Sequence, residues 1–151
     1  MKQIDIENFL DLSNYATDER VSRRKNSDVN SQEFFTPYEI VKKMADKISE
    51  VDWSNSEKTF LEPSFGNGQF VIYIIYNRIQ HGVSWKDALS TLYGVELLPD
   101  NVQETKDRII LLLSEMEIEY DKKEAMKIMD HNLVCSDFFK WDFENWCPIK
   151  E

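Results

Sequence analysis

Apolar residues recur at helical spacing near the start of this chain, lapse, and then resume. Ile4, Ile6, Phe9, Leu10, Leu12 and Tyr15 predict a short amphipathic helix within positions 3–16. Positions 17–33 are polar and charged and predict a loop, or a segment ordered on binding. Ile40, Val41, Met44, Ala45 and Ile48 then share one face, which predicts a helix from 37 to about 50. Its start reads as a capping box, with Thr36 at the N-cap, Pro37 at the first helical position and Glu39 at the third.

Short apolar runs and longer helical patterns alternate after that. Thr59-Phe60-Leu61, ending at Glu62, predicts a first strand, and Leu92 to Val95, ending at Glu96, a second. Asn132 to Cys135 predicts a third, with Asp137 taken as its end. Between the first two lie a buried helix, Gln69 to Gln80, and a short one opened by Ser84-Trp85-Lys86-Asp87. Between the second and third, Pro99 begins a long helix with Val102, Ile109, Leu112, Leu113 and Met116 inward, followed by a stretch from Lys122 to Met129. Strands alternating with helices imply right-handed crossovers and a parallel sheet, whose ligands bind at the carboxyl ends of the strands. Cys135 is expected to be a buried strand residue rather than a nucleophile.

All three expected strand ends carry an acid. Pro63 to Gly68 is a turn rich in helix breakers, in which Gly66 and Gly68 allow positive φ and close approach of a ligand. The helix behind it offers free N–H groups to an anion, most simply a carboxylate. Glu62 at the strand end repels phosphate and suits a ligand with an ammonium or sulfonium. Glu96 can accept from both hydroxyls of a ribose, and Asp137 from an exocyclic amine, with Phe138 packing on a purine. Cationic amino acid, ribose and adenine together describe S-adenosyl-L-methionine. Each feature also has a plain structural reading: Thr36-Pro37 as a cap, the glycines as a tight turn, Glu96 as a charge at the start of a helix, and Asp137 as the cap of the next turn.

In this order the motifs resemble the adenine-N6 DNA methyltransferases whose cofactor motif precedes the catalytic one, as in type I modification subunits and fused restriction–modification enzymes. The similarity runs from about Ser31 to Trp141 and rests on Phe35-Thr36-Pro37, Glu62-Pro63-Ser64-Phe65-Gly66-Asn67-Gly68-Gln69-Phe70, Gly94-Val95-Glu96 and Ser136-Asp137-Phe138. The resemblance implies a partial Rossmann-like methyltransferase fold, three parallel strands with flanking helices, occupying 31–151 behind an N-terminal helix and linker at 1–30. It implies a cofactor-binding set of Phe35, Thr36, Glu62, Pro63, Ser64, Gly66, Gly68, Phe70, Glu96, Leu97, Asp137 and Phe138. Thr36 and Glu62 would meet the methionine moiety, Glu96 the ribose and Asp137 the adenine. The family's Asn-Pro-Pro-Tyr motif has no counterpart, since Asp142-Phe143-Glu144-Asn145-Trp146-Cys147-Pro148-Ile149 has the wrong order. The expectation is a domain incomplete at its C-terminus, with no catalytic residue identified.

Charge bears on partners. The 151 residues carry a formal net charge of −10, which argues against an unaided grip on duplex DNA. Arg20, Arg23, Arg24 and Lys25 form the only dense basic cluster. DNA is therefore expected to be held through a missing C-terminal region or a partner chain, with a second subunit or homodimer as the other possibility. A sheet ending at its third strand leaves the first strand's edge for a partner, or for the Phe143–Ile149 tail to cover. Cys135 and Cys147 read as free thiols, His81 and His131 as isolated residues with no metal, and the longest apolar run, Phe70 to Tyr76, as too short to span a bilayer. A cytoplasmic protein is expected. Two readings compete with the methyltransferase: an inactive S-adenosyl-L-methionine-binding module or subunit mimic that regulates or completes a modification enzyme, and an interaction protein with no ligand.

Overall fold

The computed structural model describes residues 1–13 and 36–150. Four of its helices begin where a side chain accepts from a free N–H of the first turn. Asp5 caps α1 (Ile6–Leu12) by accepting from Asn8 N, and Ser49 caps α3 (Glu50–Ser54) by accepting from Asp52 N. Ser84 and Asp121 do the same for α5 (Trp85–Ser90) and α7 (Lys122–Asn132). In α2 (Tyr38–Ala45) the expected capping box is absent: Pro37 is the N-cap and no side chain caps the helix. Pro37 is extended at φ −69° and ψ 157°, so the helix begins one residue later than the Thr36 reading required. The helix expected to reach about 50 ends at Ala45, and after a turn a separate helix, α3, begins at Glu50. Only Val41 and Ala45 of α2 are buried, whereas Ile40 and Met44, expected inward, are exposed. Phe35, the basic cluster and the 17–33 loop lie outside the described residues.

The parallel sheet has the order β1-β2-β3, with β1 at Phe60–Glu62, β2 at Leu92–Glu96 and β3 at Leu133–Cys135. Glu62 is in register with Gly94, and Glu96 with Cys135. The tip of β2 thus extends two residues, roughly 7 Å, beyond that of β1, and β3 ends level with β2. Both crossovers run through helices, α4 (Gln69–Gln80) with α5 and α6 (Pro99–Glu115) with α7. Right-handed connections set both on one face of the sheet, where α4 packs on α6 and α5 on α7. Ile72, Ile75, Leu92, Ile109, Leu112, Leu113 and Met129 are almost wholly buried in that layer.

Residue parity sends Tyr93 to the opposite face, where Trp146 meets it edge-on at 4.9 Å. Trp146 belongs to a hairpin that the hydrophobic pattern did not foretell, β4 (Trp141–Asp142) paired antiparallel with β5 (Cys147–Pro148). The hairpin is pinned by Trp146 Nε1, which donates to His131 O at 2.8 Å. The tail therefore covers part of a sheet face rather than the edge of β1, and among the described residues β1 pairs with β2 alone. No helix among those residues is long and apolar enough to cross a membrane.

Candidate functional site

The carboxyl edge of the sheet is held together by two backbone ties and one side-chain tie. Phe65 N donates to Val95 O at 3.2 Å, joining the glycine turn to β2. Ser136 N donates to Glu96 O at 2.9 Å, joining the end of β3 to that of β2. Gly66 N donates to the Glu96 side chain at 3.0 Å. The turn itself depends on small residues. Gly66 and Gly68 have φ of 57° and 96°, and a Cβ on Gly68 would lie 2.7 Å from the Thr105 methyl. Gly94 lies beneath the turn, where a Cβ would come within 2.7 Å of the Phe65 ring.

A helix face supports the turn from behind. Thr105 Oγ1 donates to Gly66 O at 3.3 Å. Arg108, fully buried, donates to Asn67 O at 2.8 Å, to Leu10 O at 3.0 Å and to Gln69 Oε1 at 2.5 Å. Its Nε also donates to Ser13 Oγ at 3.0 Å. Gln69 in turn donates to Thr36 O at 3.1 Å, so the stretch before α2, the glycine turn and α1 are fastened through one guanidinium. Sequence reasoning passed over Arg108. A signal was present: Asn101, Thr105 and Arg108 recur at i, i+4 and i+7 within the stripe that also carries Leu112.

The acids meet different fates at this edge. Glu96 is buried and heavily engaged: Oε1 accepts from Gly66 N, and Oε2 from Leu98 N at 3.0 Å and Asn101 Nδ2 at 3.2 Å. Glu62 is half-buried with one weak donor, Ser64 N at 3.3 Å. Burial holds its carboxyl above the usual range, and the Ser64 N–H offsets this only in part. Asp137 does not end β3, as expected, but lies two residues past Cys135 and caps a 3₁₀ turn at Phe138–Lys140, accepting from Phe139 N at 2.9 Å.

A cavity of about 400 Å³ opens at this edge, within the size range of small-ligand sites. It gathers Pro63, Ser64, Leu97, Asp137 and Phe138 of the expected set, together with Val95, Ser136 and Phe139. Gly66 and Gly68 shape the turn behind it, and Phe70 stands in the first turn of α4, whose N-cap Gly68 brings no side-chain cap. Glu62 and Glu96 are at the tips of their strands but are not among the residues lining the cavity. Cys135, expected to be buried, is exposed, because the short β3 leaves it at the open end of the sheet. Its Sγ turns toward Leu97 O at 3.5 Å, and partial burial of the thiol, then the Glu96 charge, push its pKa up, which disfavours the thiolate. Among the described residues no cluster of three or more His, Cys, Asp or Glu is placed to hold a metal ion. No protein-family model, curated protein or solved structure matches this chain.

Proposed function

We propose that these residues form the cofactor-binding portion of an S-adenosyl-L-methionine-dependent DNA adenine-N6 methyltransferase. The observation that carries the reading is a glycine turn between an acid-tipped β1 and α4, beside a cavity lined by Pro63, Ser64, Leu97, Asp137 and Phe138. The residues present suit the cofactor. Glu62 is a desolvated carboxyl with one weak donor, and an ammonium beside it would supply the missing counter-charge. The first turn of α4 has no side-chain cap, leaving its N–H groups to a carboxylate. Asp137 and Phe138 offer an acceptor and a ring at the far wall of the cavity. Glu96 already accepts from three donors, two on Oε2 and one on Oε1, which leaves one acceptor position on Oε1 for a ribose hydroxyl.

When bound, the cofactor supplies an electrophilic methyl group for the N6 amine of adenine. The chain's own contribution is orientation: strand tips and a braced turn fix the donor while a further region or partner brings the base. With −10 formal charges the chain needs that help to hold DNA. A specific observation favours a second reading, a binding module without chemistry. After β3 the chain folds into the Trp141–Pro148 hairpin rather than a fourth parallel strand, and no Asn-Pro-Pro-aromatic sequence occurs in it. Incubation of the protein, alone and with candidate partner subunits, with methyl-labelled cofactor and adenine-containing DNA separates the two. Label on adenine N6 supports the enzyme; binding of cofactor with no label under any pairing supports the module.

A further inference from the structure

A second cavity opens at the free edge of β1, on the face of the sheet opposite the helices. Phe60 N donates to Thr91 O, so the Phe60 amide faces β2. Backbone groups alternate along a strand, and Leu61, one residue on, therefore directs its N–H and C=O away from β2. Among the described residues no strand pairs there, and the Leu61 side chain is 51% exposed. The cavity, about 410 Å³, is walled by Thr59 and Leu61 of this edge, by Tyr93, and by Phe143, Glu144 and Trp146 of the hairpin. A strand laid beside β1 would project alternate side chains over the face that Leu61 and Tyr93 share, and so into this space.

We infer that this edge and cavity form a docking groove for an extended, basic segment of another protein chain. The segment adds to the sheet outside β1 and lodges an arginine or lysine among the hairpin's rings. Charge selects the occupant. Glu144 is exposed at the cavity, and the exposed Glu57 lies at the start of the edge. Of the cations beside this edge, Lys58 is paired with Asp52 at 3.5 Å, and Arg78 lies over the Phe60 ring, 4.9 Å from its centroid. Trp146 is flanked by Tyr93 at 4.9 Å and Phe143 at 6.2 Å, a cluster of π-systems that attracts a cation, most strongly a guanidinium. A second copy of this chain would bring another −10 charges to the same edge. The inference stands apart from the cofactor reading, since the two cavities share no residue.

The test is selection of displayed random heptapeptides on the full chain, followed by titration of the enriched peptides. Enrichment of alternating sequences with arginine or lysine on one parity is expected. Leu61→Pro removes an N–H that bonds nothing in β2, so the thermal midpoint holds while peptide affinity falls about tenfold or more. Glu144→Lys weakens the same peptides severalfold. In the unaltered protein, hydrogen exchange at the Leu61 amide slows when peptide is added, which keeps the test independent of either variant folding. The inference is overturned by absence of enrichment, by enriched peptides that are acidic or uncharged, or by Leu61 exchange that peptide leaves unchanged. A concentration-dependent doubling of mass abolished by Leu61→Pro assigns the edge to a second copy and overturns it as well.

Discussion

The Glu96 carboxylate accepts the backbone N–H of Gly66 at 3.0 Å, so the acid that ends β2 holds the glycine turn that follows β1. The same carboxylate accepts from Leu98 N and Asn101 Nδ2 beside the start of α6. Glu96→Ala strips the acceptor from three donors, and leaving buried polar groups unpaired costs about 1–3 kcal/mol each before relaxation. A loss of roughly 3 kcal/mol in urea unfolding is expected, with Glu96→Gln milder because one acceptor oxygen remains. A neutral Glu96→Ala would refute this role.

Arg108 reaches α1, the glycine turn and α4 at once. Arg108→Met keeps the volume and deletes every hydrogen bond, with an expected cost on the order of 3 kcal/mol. Hydrogen exchange localises the effect: amides of α1 and of the turn at 65–69, where these hydrogen bonds end, open more readily than those of α7.

The glycines rank by what surrounds them. Gly68→Ala combines a positive φ with a Cβ 2.7 Å from Thr105, and Gly94→Ala drives a Cβ to 2.7 Å from Phe65; each should cost about 1–3 kcal/mol. Gly82 also has positive φ, at 90°, but no atom within 4 Å of a Cβ. Gly82→Ala should cost about 1 kcal/mol, the backbone penalty alone. Thermal denaturation of the three variants checks the order.

Glu62 makes stability depend on pH in a direction opposite to that of a salt-bridged acid. Its carboxyl titrates higher in the folded chain than the ordinary value of 4.5. Between the two values the unfolded state holds fewer protons, so stability falls as pH rises through that window. Below the unfolded value the penalty is absent; above the folded value it is fully present. Glu62→Gln keeps the acceptor for Ser64 N and removes the charge. It should therefore match the parent near pH 4 and exceed it at neutral pH in urea unfolding. A cationic ligand beside Glu62 reverses the effect, lowering its carboxyl back toward the ordinary value.

Much of this architecture was readable from hydrophobic periodicity and capping chemistry. Helix α4 spans Gln69–Gln80 as its pattern predicts, because an all-apolar run bounded by Gly68 leaves little alternative. Strands β1 and β2 also fall where their apolar runs end in acids. The failures have local causes. At Thr36 a capping box matched in sequence, but the extended ψ of Pro37 put the cap one residue later. At Asp137 a strand-end acid and a turn cap look alike in sequence, and the cap is what formed. The Trp141–Pro148 hairpin was invisible because its strands have two residues each and its turn uses Trp146 at φ 52° rather than a glycine. In the candidate site, the meeting of Pro63, Ser64, Leu97, Asp137 and Phe138 followed from strand order, whereas the engagement of Glu96 needed coordinates.

Calorimetric titration of S-adenosyl-L-methionine into the protein, with ATP as the nucleoside control, tests the central claim most directly. Saturable binding of the sulfonium cofactor but not of ATP is expected. Binding should weaken about tenfold or more in Asp137→Ala, the cost of one lost charge-assisted hydrogen bond. Absence of binding heat, together with a melting temperature unmoved by millimolar cofactor, would contradict the account.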